Sequence, residues 1–238
     1  MSKLVHDTPG ERKYQTGVEK VAVFPFTAAG AYGAGYAWNG ITGITDSPSG
    51  GEPTDQYADN IKYFTMYSAE TLGGTIEAFY APDQFAECDG CKEVAPGATV
   101  KGQTRKAFGL VSQTIIGNDT LGNDYGKKMH FYYGCRVSPS EIAYSTVNES
   151  PDAPTLSWTF TTNPVAVTEI EDIKATPKFE IDSTKMSAAA WKAVEDKVYG
   201  TENTEPTFLL PDEIIRLINS IDGTTPSSGS NEQTEPQG

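Results

Sequence analysis

Two runs of apolar and aromatic residues, KAFGLVSQTII (106–116) and KMHFYYGCRV (128–137), flank a stretch made almost wholly of turn formers. Runs of this length, rich in β-branched and aromatic side chains and bounded by Gly, Asn and Asp, read as strands. The stretch between them, IGNDTLGNDYG (116–126), carries Gly117, Asn118, Asp119, Gly122, Asn123 and Asp124. The expected element is therefore an antiparallel hairpin with an extended polar tip.

The same signals recur in KVAVFPF (20–26), NIKYFTMY (60–67), GTIEAFYA (74–81) and TLSWTFTTNPVAV (155–167). In the last of these Leu156, Trp158 and Phe160 alternate with hydroxyl residues, the period of a half-buried strand, and Pro164 confines the far end to an edge or bulge. The glycine-rich AAGAYGAGYAWNG and the cluster SPSGGEPTD read as loops or irregular edges. A short helix is expected at APDQFAEC, near Pro82. Later, SAAAWKAVEDKVYG has Ser187 to cap a helix, Trp191, Val194 and Val198 on one face, and Gly200 to end it. LPDEIIRLINSIDG places Pro211 in a first turn and Ile214, Leu217, Ile218 and Ile221 on one face. The expected fold is mainly β, an antiparallel sandwich or half-barrel with a flanking α-helix. Residues 1–20 are expected as an N-terminal arm and 21–222 as the folded domain. Residues 223–238 are expected as a disordered tail, because GTTPSSGSNEQTEPQG has no hydrophobic side chain to offset ordering entropy.

With 18 Lys and Arg against 32 Asp and Glu, the chain carries −14 and should repel polyanions, which argues against specific nucleic-acid recognition. A conduit through which DNA slides is compatible with that charge. The first twenty residues contain no apolar signal core, no run is long enough to span a bilayer, and no membrane partner is expected. Three cysteines, an odd number, point to a reducing compartment.

Cys88, Cys91, His130 and Cys135 would make a zinc-type ligand set, but the second half lacks a metal-module spacing, and on a regular strand His130 and Cys135 face opposite sides. The C-x-x-C follows no βα unit, as a thioredoxin-like motif would require. Gly30, Gly33, Gly35 and Gly40 do not spell a dinucleotide or phosphate loop, and the paired GND elements do not match a calcium loop. His6 lies in a polar arm, and His130 has no serine or cysteine motif beside it. No residue is assigned a catalytic, cofactor-binding or metal-ligating role, and no cofactor is expected.

The pieces EPTDQYADNIKY, GGTIEAFYAPDQFAECDG, TRKAFGL, IGND and SPSE, with the stretch from about residue 38 to 167 that holds them, resemble the major tail proteins of long-tailed phages of Gram-positive bacteria. Weaker similarity continues through IDSTK, VEDKVYG and LPDEII. The resemblance implies a tail tube subunit of the virion, assembled in the bacterial host cytoplasm. Six copies would join their inner strands into one closed β-barrel, a hexameric ring that stacks into a hollow tube. It also implies the partners: copies of itself, the tape measure protein, the tail terminator, the baseplate and distal tail proteins, and DNA in transient, non-specific passage. An acidic lumen would keep DNA from sticking. In such a protein DSPSGGEPTDQYADN, the arm MSKLVHDTPGERKYQ and the GND tip are the segments expected to bridge rings. A different class of function, an acidic β-sandwich binding a cell-surface carbohydrate or protein through Trp38, Tyr57 or Tyr80, is the alternative.

Overall fold

The computed structural model describes residues 4–139, 141, 146 and 153–223. The described residues are mainly β, with antiparallel sheets and two helices, and form no closed barrel. The strands are β1 (Lys13–Pro25), β2 (Tyr36–Ala37), β3 (Ile41–Ser49), β4 (Pro53–Ala58), β5 (Ile61–Tyr67), β6 (Thr71–Ala78), β7 (Lys92–Ala95), β8 (Ala98–Val100), β9 (Phe108–Asn118), β10 (Gly122–Val137), β11 (Leu156–Thr161) and β12 (Lys178–Asp182). The helices are α1 (Ala188–Tyr199) and α2 (Pro211–Asp222).

The main sheet runs β2-β1-β9-β10-β11-β6-β3, and β12 also pairs with β10. Strand β10 is the junction. Its residues 128–132 lie between β9 and β12, whereas Arg136 and Val137 pair with β11. The switch falls at Gly134, which has φ +56°, and a Cβ there would sit 2.8 Å from Asn163 Cβ, so the bulge requires glycine.

Alternation along the central strands supplies two cores. Val21, Val23, Phe108, Leu110 and Tyr132 face the second sheet and meet Trp38, Ile76, Phe85, Trp158 and Phe160. Ala22, Phe24, Val111, Met129, Phe131 and Tyr133 face the helices and meet Val194, Val198, Phe208, Leu209 and Ile214. The layers are thus helices, sheet and sheet, which explains why VAVF and FYY are apolar without interruption.

Helix α1 begins where Ser187 Oγ accepts the Ala190 N–H at 3.1 Å, and it ends at Gly200. Helix α2 starts at Pro211, the Glu213 carboxylate accepts the Leu210 N–H at 2.8 Å, and Gly223 ends it in the left-handed region. Ile221, expected on the apolar face of α2, stays 40% exposed. The helix expected at APDQFAEC is a single 3₁₀ turn, Asp83–Phe85, whose Phe85 is buried.

Three expectations change. The arm over 1–20 is strand from Lys13 onward, paired with β9. The tip of the β9–β10 hairpin is short, because the strands run to Asn118 and resume at Gly122, and Asn118 Oδ1 accepts the Thr120 and Leu121 N–H groups to close it. SPSGGEPTD is not a loop but the end of β3, a bend and the start of β4. Residues 224–238, expected as a disordered tail, lie outside the described residues, as does most of the segment after SPSE.

Phe208 keys the helix layer to the sheet: its ring lies 5.2 Å from Phe24, 4.1 Å from Tyr32 and 5.5 Å from Tyr133, centre to centre. It also fills the space left by Gly109, where a Cβ would meet the ring at 2.5 Å. Phe208→Ala should cost about 3–5 kcal/mol. Differential scanning calorimetry should show a fall in Tm of roughly 6–20 °C, at about 2–4 °C per kcal/mol for a chain of this size.

Candidate functional site

Between β3 and β6 the chain leaves the body as a second ladder, β4 with β5, in which Pro53 pairs with Tyr67 and Ala58 with Ile61. The bend is made by Gly50 and Gly51, both at positive φ, and a Cβ on Gly50 would lie 2.2 Å from the Ala69 carbonyl oxygen. The turn is Asp59-Asn60, both left-handed, the geometry of a two-residue type I′ hairpin. Among the described residues β4 and β5 pair only with each other.

The ribbon is exposed along nearly its whole length, as the small β7–β8 pair is, but it alone of the two carries exposed aromatic side chains. The register slips at Tyr63, so Ile61, Phe64 and Met66 lie on one face of the ribbon, while Tyr57 and Tyr67 flank the Lys62, Asp55 and Thr65 cluster on the other. Tyr57, Tyr63 and Tyr67 are 70%, 67% and 73% exposed. A two-stranded hairpin in water is marginal, and one that exposes large apolar and aromatic side chains gains stability when something packs against them.

A polar cleft of about 300 Å³ lies between the sheets, lined by Gln15 of β1, Asp46 of β3, Thr114 of β9, His130 and Tyr132 of β10, and Lys178 and Glu180 of β12. His130 is 5% exposed and has Glu180 Oε1 2.9 Å from Nδ1 and Thr114 Oγ1 2.9 Å from Nε2. An ionised carboxylate only accepts, so Nδ1 carries a proton, and Nε2 shares the second hydrogen bond with the Thr114 hydroxyl. Gln15 Nε2 donates to Thr114 Oγ1 at 2.6 Å. Lys178 Nζ lies 2.7 Å from Glu180 Oε1 and also reaches Asp46, while Tyr132 donates its hydroxyl to Asp46 Oδ1 at 2.9 Å. The His130 hydrogen bond, with Lys128 and Lys178 beside it, holds the Glu180 carboxyl well below the usual range despite partial burial.

Hydroxyl, imidazole and carboxylate in sequence have the order of a nucleophile relay. Here, however, the Glu180 carboxylate is shared with Lys128 and Lys178, which commits it to an ion network as much as to the imidazole. What the array does is tie β3 to β12 through Asp46 and Lys178 across the gap between the sheets. Nothing in residue order groups Thr114, Asp46, Lys178 and Glu180, because their neighbours come from other strands.

The cysteines are separated from this cleft. Cys88 and Cys135 are fully buried in the inter-sheet core, where burial raises the Cys88 thiol to about 12 and pushes the Cys135 thiol up too, and Cys91 is half-buried in the turn after Gly90. The expectation that His130 and Cys135 face opposite sides is overturned. The register slips between Tyr132 and Cys135, so the bulge at Gly134 returns Cys135 to the face of Tyr132 and His130. Among the described residues no group of three or more His, Cys, Asp and Glu could hold a metal ion. Trp38, considered as a ligand platform, is 2% exposed and donates its indole N–H to the Tyr80 carbonyl at 2.8 Å, so it is core; Tyr57 and Tyr80 are exposed. Of the glycine cluster, Gly30, Gly33 and Gly35 lie in the β1–β2 connection, where Gly35 gives room to the Phe24 ring, and Gly40 lies between β2 and β3. The GND tip holds the N-terminal segment, with Gly10 N–H donating to Asp119 Oδ1 at 2.9 Å and Asn118 Nδ2 to the Gly10 carbonyl at 3.0 Å. His6 is exposed. Among the described residues no helix is long and apolar enough to cross a membrane.

Compared with known proteins, the chain matches no family model and no curated protein.

Because the Glu180 carboxyl is held low in the fold, its contribution is fully present above the ordinary glutamate value of about 4.3 and is lost as pH falls below it. Glu180→Gln should cost about 1–3 kcal/mol at pH 7, since it leaves His130 and the largely covered Lys178 short of an anion. Urea titrations of the two proteins at pH 7 and at pH 3 should show the gap narrow at the lower pH; a gap that is constant with pH would refute the assignment.

Proposed function

We propose that this chain is a self-assembling structural subunit, the major tail tube protein of a long-tailed phage, without covalent chemistry of its own. The observation that carries the reading is the β4–β5 ribbon, which exposes Ile61, Phe64 and Met66 on one face and Tyr57 and Tyr67 on the other and, among the described residues, pairs with no other strand. A monomer that worked alone would bury or truncate such an element. The sequence resemblance to tail tube proteins gives the ribbon its place, as the contact between copies of the subunit. Six copies close into a ring, the free edges of their sheets continue into one barrel, and the rings stack into a tube. Tape measure protein, tail terminator and baseplate proteins meet the tube inside and at its ends, and the net charge of −14 per copy disfavours adhesion of DNA in passage. The alternative of a carbohydrate- or protein-binding module loses Trp38 to the core and keeps only Tyr57 and Tyr80.

Deleting residues 46–56 is a poor test, since Asp46 to Ser49 pair with β6 and Asp46 ties to Tyr132 and Lys178. Side-chain changes on the ribbon are the better one. Tyr57→Ser, Tyr63→Ser and Tyr67→Ser together should leave Tm within about 2 °C of the parent, as exposed substitutions do. Negative-stain electron microscopy at high concentration should show hollow tubes for the parent protein and none for the variant. Tubes of unchanged bore from the triple variant would remove the ribbon from the assembly contact.

A further inference from the structure

The residues that follow the Cys88–Cys91 turn form a basic lobe on an acidic protein. Residues 92–106 contain Lys92, Lys101, Arg105 and Lys106 against Glu93 alone, a net +3 in a chain of −14. The lobe is the small β7–β8 hairpin and the loop behind it, and β7 and β8 pair only with each other among the described residues. Lys106 is paired with Glu87, whereas Lys92, Lys101 and Arg105 have no ion pair in the described structure.

Arg105 is the informative one. Its side chain lies across Gly90, where a Cβ would meet Arg105 Cγ at 3.1 Å, and its Nε is buried with no acceptor. The guanidinium lines a cleft of about 100 Å³ together with Lys101, Ser157 and Trp158. Asp89 lines the same cleft without pairing to it. A buried guanidinium N–H left without an acceptor is destabilising, so this cleft is suited to receive an oxyanion that the described residues of one chain do not supply.

The projecting ribbon carries the complementary charge. Residues 50–70 hold Glu52, Asp55, Asp59 and Glu70 against Lys62, a net −3, and Glu52 and Asp59 are exposed with no cation of their own. We infer that the β4–β5 ribbon of one copy docks on the basic lobe of a second copy, with a ribbon carboxylate accepting from Arg105 in its cleft. The contact is heterologous, since each chain offers one ribbon and one lobe, and therefore it propagates. This rests on the self-assembly reading and names the surface that receives the ribbon.

Charge reversal on the two sides separates this contact from a general loss of assembly. The lobe variant Lys101→Glu/Arg105→Glu and the ribbon variant Glu52→Lys/Asp59→Lys should each weaken self-association of the full chain at least about tenfold in sedimentation velocity at low salt. An equimolar mixture should associate again as alternating copies, because the reversed lobe of one meets the reversed ribbon of the other, with thermal unfolding of each variant unchanged. Failure of the mixture to recover, undiminished association of either variant, or a parent protein monomeric at its solubility limit would overturn the docking. Tubes formed normally by both variants would sink the docking and leave the tube reading standing; mixtures that recover association without ever giving hollow tubes would do the reverse.

Discussion

Strand β10 is where the two sheets become one molecule. It gives one edge to β9, divides the other between β12 and β11, and passes alternate side chains to both cores. The division needs a change of direction and of facing within a few residues, and Gly134 provides both. Without the bulge, Cys135 and Val137 would turn toward the helices and the second sheet would lose its anchor, because a slip of one residue exchanges the faces of a strand. Tyr32 secures the geometry by accepting the Gly134 N–H on its hydroxyl at 3.1 Å. The same ring then packs on Phe208, so the bulge, the sheet and the helix layer are held by a continuous set of contacts.

That continuity ends at Gly50-Gly51. On the body side, β3 is paired with β6, carries Ile44 to the inter-sheet core and sends Asp46 into the polar cleft. On the far side the ladder continues with no core behind it, and its Tyr, Phe and Met side chains face water. The hydrogen-bonded register is the same kind on both sides, so the difference lies wholly in what the side chains meet. Backbone pairing alone contributes little net stability against water, and an exposed ribbon draws its lasting order from whatever surface covers it.

Much of the body could be read from residue order alone. The β9–β10 hairpin was visible because two long apolar runs flank a cluster of turn formers, and α1 because Ser187 and Gly200 bracket a helical period. The ribbon was half visible: β5 reads as a strand, but β4 is hidden behind Pro48, Gly50, Gly51 and Pro53, residues that locally signal a loop and here shape a bend and an edge. The cleft was invisible. Thr114, His130 and Glu180 stand side by side only because of the registers of β9, β10 and β12, and Asp46 reaches them from the opposite sheet. Parity failed for Cys135 for a local reason, since FYYGCRV does not announce that its glycine is a bulge.

The polar tie across the sheets also bears on why this body can present a ribbon at all. A sheet pair joined only by apolar contact tolerates small slips of one layer on the other. Asp46 removes that freedom at the strand that leads into the ribbon, because it must meet both the Tyr132 hydroxyl and the Lys178 ammonium at once. Burying part of an ion network yields little net stability but sets a single register, since any slip strands a charge out of water. Gly50 then begins four residues beyond a fixed point, and its close approach to the Ala69 carbonyl fixes the return chain as well. The direction in which the ribbon projects is therefore inherited from the His130–Glu180–Lys178–Asp46 network, and a change there would re-aim the ribbon before it was felt as loss of the fold.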